Sequence, residues 1–333
     1  MRVLVTGGVG YIGSVAVERL LLQNHDVVVL DNVWRGHPEA VAPGVPLVVA
    51  DLRDRDQVAR VVREARPDAI LHFAAATLVG ESMTSPADYF AINTVGSHNL
   101  LEEARANDVE RVVFSSTASV YGMPDRQPVA EGADLRPINP YGRSKLMVEQ
   151  MLEWYGTAYG LRYACLRYFN VAGATRDRGE DHDPETHIIP VALLTLLGKR
   201  DRFTVFGTDY PTPDGTAIRD YVHVVDLADA HLLALANLDQ PGEHSHAFNL
   251  GTKDGFSVKQ IVDAVERVTG RALPIEYGPR RAGDPPVLVA DSTRARAELG
   301  WDPALSNLDQ MIGSAWDWFQ RHPNGYGDDE RRR

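Results

Sequence analysis

Short apolar runs alternate with amphipathic stretches through the first half of the chain. RVLVTG, DVVVLD, PLVVAD, AILHFAA and RVVFSS have strand length and continuous rather than alternating hydrophobicity, the pattern of strands buried on both faces. The stretches between them carry helical periodicity, so the chain predicts an α/β fold with a doubly wound parallel sheet. YACLRYFN reads as a sixth strand. After about residue 170 the pattern loosens. Residues 175–185 are rich in charge and proline and predict a loop that contacts a ligand, and 189–199 predict a helix. HAFNLGT and LPIEYGP read as short strands around the amphipathic helix SVKQIVDAVERVTG, and LDQMIGSAWDWFQRH as a closing helix. These pieces do not make a second doubly wound unit. The expected organisation is a domain over 1–172 and a smaller mixed α/β region over 173–333. That region closes over the sheet's carboxyl edge, with some late segments returning to the first domain.

Composition narrows the picture by exclusion. The 333 residues are 44% hydrophobic and 24% charged, ordinary for a folded domain. No stretch approaches the roughly 18 apolar residues of a bilayer span, and MRVLVTGGVGYIGS shows no secretory h-region, so a soluble, cytoplasmic protein is expected. The net charge of -12 argues against a nucleic-acid surface, which needs clustered cations. A lone Cys165 supports neither a disulfide nor a cysteine zinc site and reads as a core residue. The charged tail at 328–333 reads as solvated.

Candidate chemistry begins at the first turn. Gly7, Gly10 and Gly13 in TGGVGYIGS follow a predicted strand and open a predicted helix, letting backbone approach a pyrophosphate at a helix N-terminus. Asp31 ends the second strand, where a carboxylate accepts from adenosine ribose hydroxyls and repels a 2′-phosphate. NAD is therefore expected, although the nearby Arg35 keeps NADP open. Asp51 ends the third strand, placed to hydrogen-bond adenine or to cap the helix that follows.

Tyr141 and Lys145 in NPYGRSK sit at i and i+4, on one helix face. An adjacent ammonium favours the phenolate, so Tyr141 can take a proton from a sugar hydroxyl. SSTASVYG follows a predicted strand and delivers Ser115, Ser116 and Thr117 to the same sheet edge; Thr117 reads as a proton relay or as a plain strand-end cap.

TGGVGYIGS, FAAATLVGES, SSTASVYG, NPYGRSK, RYFNVAGA, VFGTDYPTPDGTAIRDYVHVVDLADAH and PRRAGDPPVLVAD, in this order, resemble the extended short-chain dehydrogenase/reductases. Over nearly the whole chain the likeness is to the UDP-glucose 4-epimerases among them. The resemblance implies a Rossmann-type domain, bound NAD, a UDP-sugar substrate and a homodimer. It assigns Tyr141 as base, Thr117 as its hydroxyl assistant and Lys145 as electrostatic partner. By the same matching Tyr11, Ile12, Asn32, Leu52, Phe73, Ala74, Ala75, Asn93, Ser115 and Tyr168 join the NAD site. Phe169, Asn170, His187, Phe206, Arg219, Arg281, Asp284 and Leu288 fall on substrate positions. For each arginine alone, the plainer reading is a surface ion pair.

Some positions depart from the pattern. Thr117 stands where many members carry Ser, Thr77 where some carry a cation against the pyrophosphate, and His187 where some carry Asn. Leu288 is intermediate between a bulky and a small wall of the sugar pocket, which leaves UDP-N-acetylglucosamine open as a substrate. A metal at His182 and His187, beside Asp181 and Asp183, is not expected. The rival chemistries are a 4,6-dehydratase or UDP-glucuronate decarboxylase, disfavoured because Ala118 and Ser119 rather than acids follow Thr117, and UDP-xylose epimerisation. A non-catalytic NAD-binding regulator is the alternative of a different class.

Overall fold

The computed structural model describes residues 1–240, 246–281 and 284–327; the tail at 328–333 lies outside the described residues. In chain order come β1 (Arg2–Thr6), α1 (Tyr11–Leu22), β2 (Asp26–Asp31), β3 (Leu47–Val49), α2 (Arg55–Ala65), β4 (Ala69–His72), α3 (Val79–Thr84), α4 (Pro86–Tyr89), α5 (Gly96–Ala106), β5 (Arg111–Ser115), α6 (Pro140–Tyr159) and β6 (Arg162–Tyr168). Then follow β7 (Asn170–Ala172), α7 (Ile188–Leu196), β8 (Phe203–Phe206), β9 (Ile218–Arg219), β10 (Tyr221–His223), α8 (Val224–Asn237), β11 (Ala247–Leu250), β12 (Phe256–Ser257), α9 (Val258–Thr269), β13 (Ile275–Gly278), β14 (Val287–Leu288), α10 (Thr293–Leu299) and α11 (Leu308–Arg321).

Seven strands form one sheet in the order β3-β2-β1-β4-β5-β6-β11, parallel throughout. Each strand alternates its side chains between two buried layers. Val3, Val5, Val29 and Leu71 pack with Val17, Leu20, Leu227 and Leu235 of α1 and α8. Leu4, Leu30, Ile70 and Phe114 pack with Val58, Leu100, Val148 and Leu152 of α2, α5 and α6. Burial on both faces accounts for the unbroken apolar runs. Strand order reverses between β1 and β4, which opens a crevice beyond their carboxyl ends.

The second region has its own core, where Leu193, Val205, Ile261, Val265, Met311 and Trp318 draw α7, β8, α9 and α11 together. The helix α9 starts with a capping box made by Ser257 and Gln260 and stops at Gly270 in a left-handed conformation. The short pairs β7/β10 and β8/β13 and the ribbon β12-β9-β14 complete it. Among the described residues, no helix is long and apolar enough to cross a membrane.

Candidate active site

The crevice is lined by the turn into α1, the ends of β2 to β5 and the face of α6. Gly7 has φ +74°, and a Cβ there would fall 2.5 Å from the backbone nitrogen of Ala74. That close approach lets the loops after β1 and β4 meet at the switch point. A Cβ on Gly10 would meet only the Gly7 carbonyl, at 3.3 Å, so the space beside the turn is free. The helix α1 begins at Gly10 with no side-chain cap. Its first amides are thus left to an anion, as a pyrophosphate requires.

Asp31 is buried at the end of β2, where its carboxylate accepts from the amides of Val33 (2.9 Å) and Val9 (3.3 Å). Burial raises its pKa and the amides pull the other way. Arg35, the residue that kept NADP open, lines the cleft with its guanidinium bonded to Glu81 at 2.8 Å and lying over Trp34 at 4.2 Å. Asp51 lines the cleft and accepts from Asn32 at 3.1 Å and from the Arg53 amide at 2.9 Å, and the Arg53 guanidinium beside it pulls its pKa down. It does not cap α2. Asp54 does, accepting from the amide of Gln57, because α2 begins one turn later than the motif suggests. These features fit a dinucleotide.

Gly7, Gly10, Tyr11, Ile12, Gly13, Asn32, Leu52, Phe73, Ala74, Ala75, Ser115 and Tyr168 all line the same cleft. Asn93 does not. Buried beneath it, Asn93 accepts from the amide of Ala76 (2.8 Å) and donates to the Ala76 carbonyl and the Ser144 hydroxyl, pinning the loop after β4 to α6. His72, held between Thr6 and Ser97 at 2.7 Å each and kept neutral by burial with its pKa down to about 3, does similar work from β4.

At the other end of the cleft, α6 presents Tyr141 and Lys145 on one face, both nearly solvent-free. Asn139 caps this helix and Pro140 occupies its first turn, which fixes where the face points. Burial pushes the Tyr141 phenol up, while the neighbouring Thr117 hydroxyl draws it down. Burial also lowers Lys145, to about 7, against the opposing charge of Glu149 one turn on. The Lys145 ammonium donates to the Ser115 carbonyl at 2.9 Å and sits 4.7 Å above the Phe114 ring. Thr117 starts a short 3-10 turn and accepts from the Ser119 amide at 3.1 Å, the cap read from its sequence, and it lines the same cleft as Tyr141.

Phe169, Asn170 and His187 line this cleft as well. The remaining substrate positions do not line it and form a second cluster. Arg219 bonds Asp284 at 2.5 Å, Arg281 lies over Phe206 at 4.2 Å, and Leu288 pairs in register with Arg219. The two groups meet where Leu288 and Phe169 pack against Val120, Tyr121 and Leu146.

Two features had no reading in the sequence. Glu149, i+4 from Lys145, forms a buried 2.5 Å ion pair with Arg167 and accepts from Ser116; the Tyr141/Lys145/Glu149 spacing was the available signal. Glu180 and Glu185, rather than Asp181 and Asp183, meet His182 and His187. The Glu180 charge beside it holds the His187 imidazole well above its usual pKa.

A parallel sheet with an uncapped glycine turn at its switch point and a buried Tyr/Lys pair at the same edge defines a class: enzymes that work on a substrate against a bound nicotinamide dinucleotide. The chain belongs to the NAD-dependent epimerase/dehydratase family, whose model matches residues 3–251. It is 50% identical over 332 residues to UDP-glucose 4-epimerase of Streptococcus mutans, covering 98% of this chain and 99% of that one. UDP-glucose 4-epimerase of Lacticaseibacillus casei is 49% identical, with 98% and 99% covered. The crystal structure of UDP-glucose 4-epimerase from Brucella ovis in complex with NAD superposes with a TM-score of 0.92 at 46% identity, covering 96% and 98%.

Proposed function

We propose that the protein is an NAD-dependent 4-epimerase that interconverts UDP-glucose and UDP-galactose. The observation that carries this is the buried Tyr141, with Thr117 lining the same cleft and Lys145 one turn along the same helix. Tyr141 takes the proton of the sugar's C4 hydroxyl, Thr117 passes it, and the Lys145 ammonium stabilises the phenolate. NAD, which the glycine turn, Asp31 and Lys145 would hold in the cleft, would supply the acceptor and donor of the C4 hydride. Burial keeps water from the 4-keto sugar while it turns over. Arg219 and Arg281 hold the diphosphate, Asp284 and Phe206 the uridine, and Leu288 with Phe169 the sugar wall. The Arg219–Asp284 pair must open for both to reach substrate. Asp31 and Asp51 sit on the adenosine side and Glu180 is held by histidines. Ala118 and Ser119 next to Thr117 bring no acid for elimination, which disfavours a dehydratase.

The deciding assay incubates the purified protein with UDP-galactose, without added nicotinamide, and separates the two UDP-sugars after quenching. Conversion to one ratio from either sugar is expected. Failure with NAD demonstrably bound sinks the assignment. The same assay with UDP-N-acetylglucosamine tests the sugar wall: Leu288 supports turnover of the acetylated sugar, and its absence alongside active UDP-glucose refutes that breadth. The reading includes a cytoplasmic place and a homodimer through α5 and α6, where Met147 and Trp154, seven residues apart, are exposed. Light scattering should return twice the chain mass.

A further inference from the structure

The 175–187 loop contains Glu-x-His twice, Glu180/His182 and Glu185/His187. In extended backbone such i, i+2 pairs share a side, and the fold turns the two pairs toward each other. One ligand-capable atom from each of the four residues lies within 4.8 Å of all the others. The His187 Nδ1 is 2.7 Å from Glu180 and 3.0 Å from Glu185, and the His182 Nδ1 is 3.1 Å from Glu180.

Both carboxylates are almost completely buried, at 5% and 4% side-chain exposure. Apart from the two imidazoles, Glu180 meets no hydrogen-bond donor among the described residues, whereas Glu185 is oriented by the amides of Thr186 and His187, each at 2.7 Å. Two like charges are thus buried side by side, with one imidazole nitrogen of each histidine aimed between them. A divalent cation at that point takes one nitrogen of each imidazole as a ligand, releasing the proton carried there to solvent, and neutralises both carboxylates.

We propose that Glu180, His182, Glu185 and His187 bind one divalent first-row transition ion of the Zn²⁺ type. Two imidazoles and two carboxylates suit a tetrahedral Zn²⁺ shell, whereas Mg²⁺ and Ca²⁺ prefer oxygen alone. Four protein ligands leave no open position, so the ion is structural. It ties the loop to the start of α7 and to Tyr11, whose ring meets His182 edge-on at 6.2 Å and whose hydroxyl bonds the Gly173 carbonyl. The loop is already anchored at its near end by Arg178, which pairs with Glu18 on α1 and bonds the Ala40 carbonyl. The ion supplies the matching anchor at its far end.

The test uses tag-free, metal-stripped full-length protein and is independent of epimerase turnover. Zn²⁺ is titrated in competition with a chromophoric chelator, and Co²⁺ is added separately for its visible spectrum. One equivalent of Zn²⁺ per chain is expected, with affinity at least about tenfold weaker in His182→Ala and Glu185→Gln. Co²⁺ on the unaltered protein should show the intense bands of a tetrahedral site, which keeps the result readable if a variant misfolds. No stoichiometric uptake by the unaltered protein leaves only an ion-pair cluster and overturns the proposal. Uptake undiminished in both folded variants, or an octahedral Co²⁺ spectrum, overturns it as well.

Discussion

Lys145 shows what burying an ammonium costs in stability. Burial holds its ammonium at a pKa of about 7, against about 10.4 in an unfolded chain. Between those values the unfolded chain binds the extra proton, so this group's contribution to stability rises with pH across that interval and is at its worst below it. Lys145→Met removes the buried charge. Its stability relative to the parent should therefore be most favourable near pH 6 and decline toward pH 10 in urea denaturation; a flat difference would mean that the ammonium is not desolvated. The same variant should lose activity at least about a hundredfold, and its residual rate should shift to higher pH, because no ammonium favours the Tyr141 phenolate. Tyr141→Phe should abolish turnover and leave NAD bound, measured by cofactor content after acid release; a protein that merely carries NAD would keep its other properties. The Tyr141/Lys145 pair and the glycine turn were legible because each is a local spacing. The bonds that bury the Asn93 amide against Ala76 and Ser144 were not legible, because no spacing discloses them.

Among the elements, α6 does more than present Tyr141 and Lys145. Its third turn places Glu149 against Arg167 on β6, and Arg167 continues to the Tyr121 hydroxyl at 2.9 Å, which donates to Asn249 on β11 at 2.7 Å. One buried polar chain thus fixes the helix to the two outermost strands of that side of the sheet. Removing one partner leaves the other charge uncompensated. Arg167→Met should cost about 3–5 kcal/mol of stability in chemical denaturation, and the Arg167→Met/Glu149→Leu double variant should recover part of the loss. Equal losses in single and double variants would mean that packing rather than charge is at stake. The strands themselves were plain in the sequence, since burial on both faces writes an unbroken apolar run. The cap of α2 was not, because Asp51 and Asp54 both precede the helix and only the chain's path decides which accepts the Gln57 amide. The 175–185 segment reads as a loop in sequence, and its contacts with Glu18 and the Ala40 carbonyl depend on parts of the chain brought near only by folding.

For the whole molecule, the sheet is finished by the second half of the chain. The strand β11 pairs in register with β6, Ala247 opposite Cys165 through Leu250 opposite Tyr168. The helix α8 supplies Leu227, Leu232 and Leu235 to the layer that also buries Val3, Val5 and Val113. A fragment ending at 172 would therefore expose one face of the sheet's centre and an unpaired edge at β6, although it carries the whole glycine turn, Tyr141 and Lys145. Apolar burial is worth about 25 cal/mol per Å², and a domain's net stability is only about 5–15 kcal/mol, so losing a helix from this layer is enough to unfold it. The 1–172 fragment should show no cooperative urea transition and should bind no NAD, while the full chain binds NAD and unfolds cooperatively. A fragment that folds and binds NAD would show that α8 and β11 only decorate an independent domain. The opposite result makes the cofactor site and the substrate region parts of one folding unit, because the chain that builds the sugar side must return through α8 and β11 before the NAD side can close.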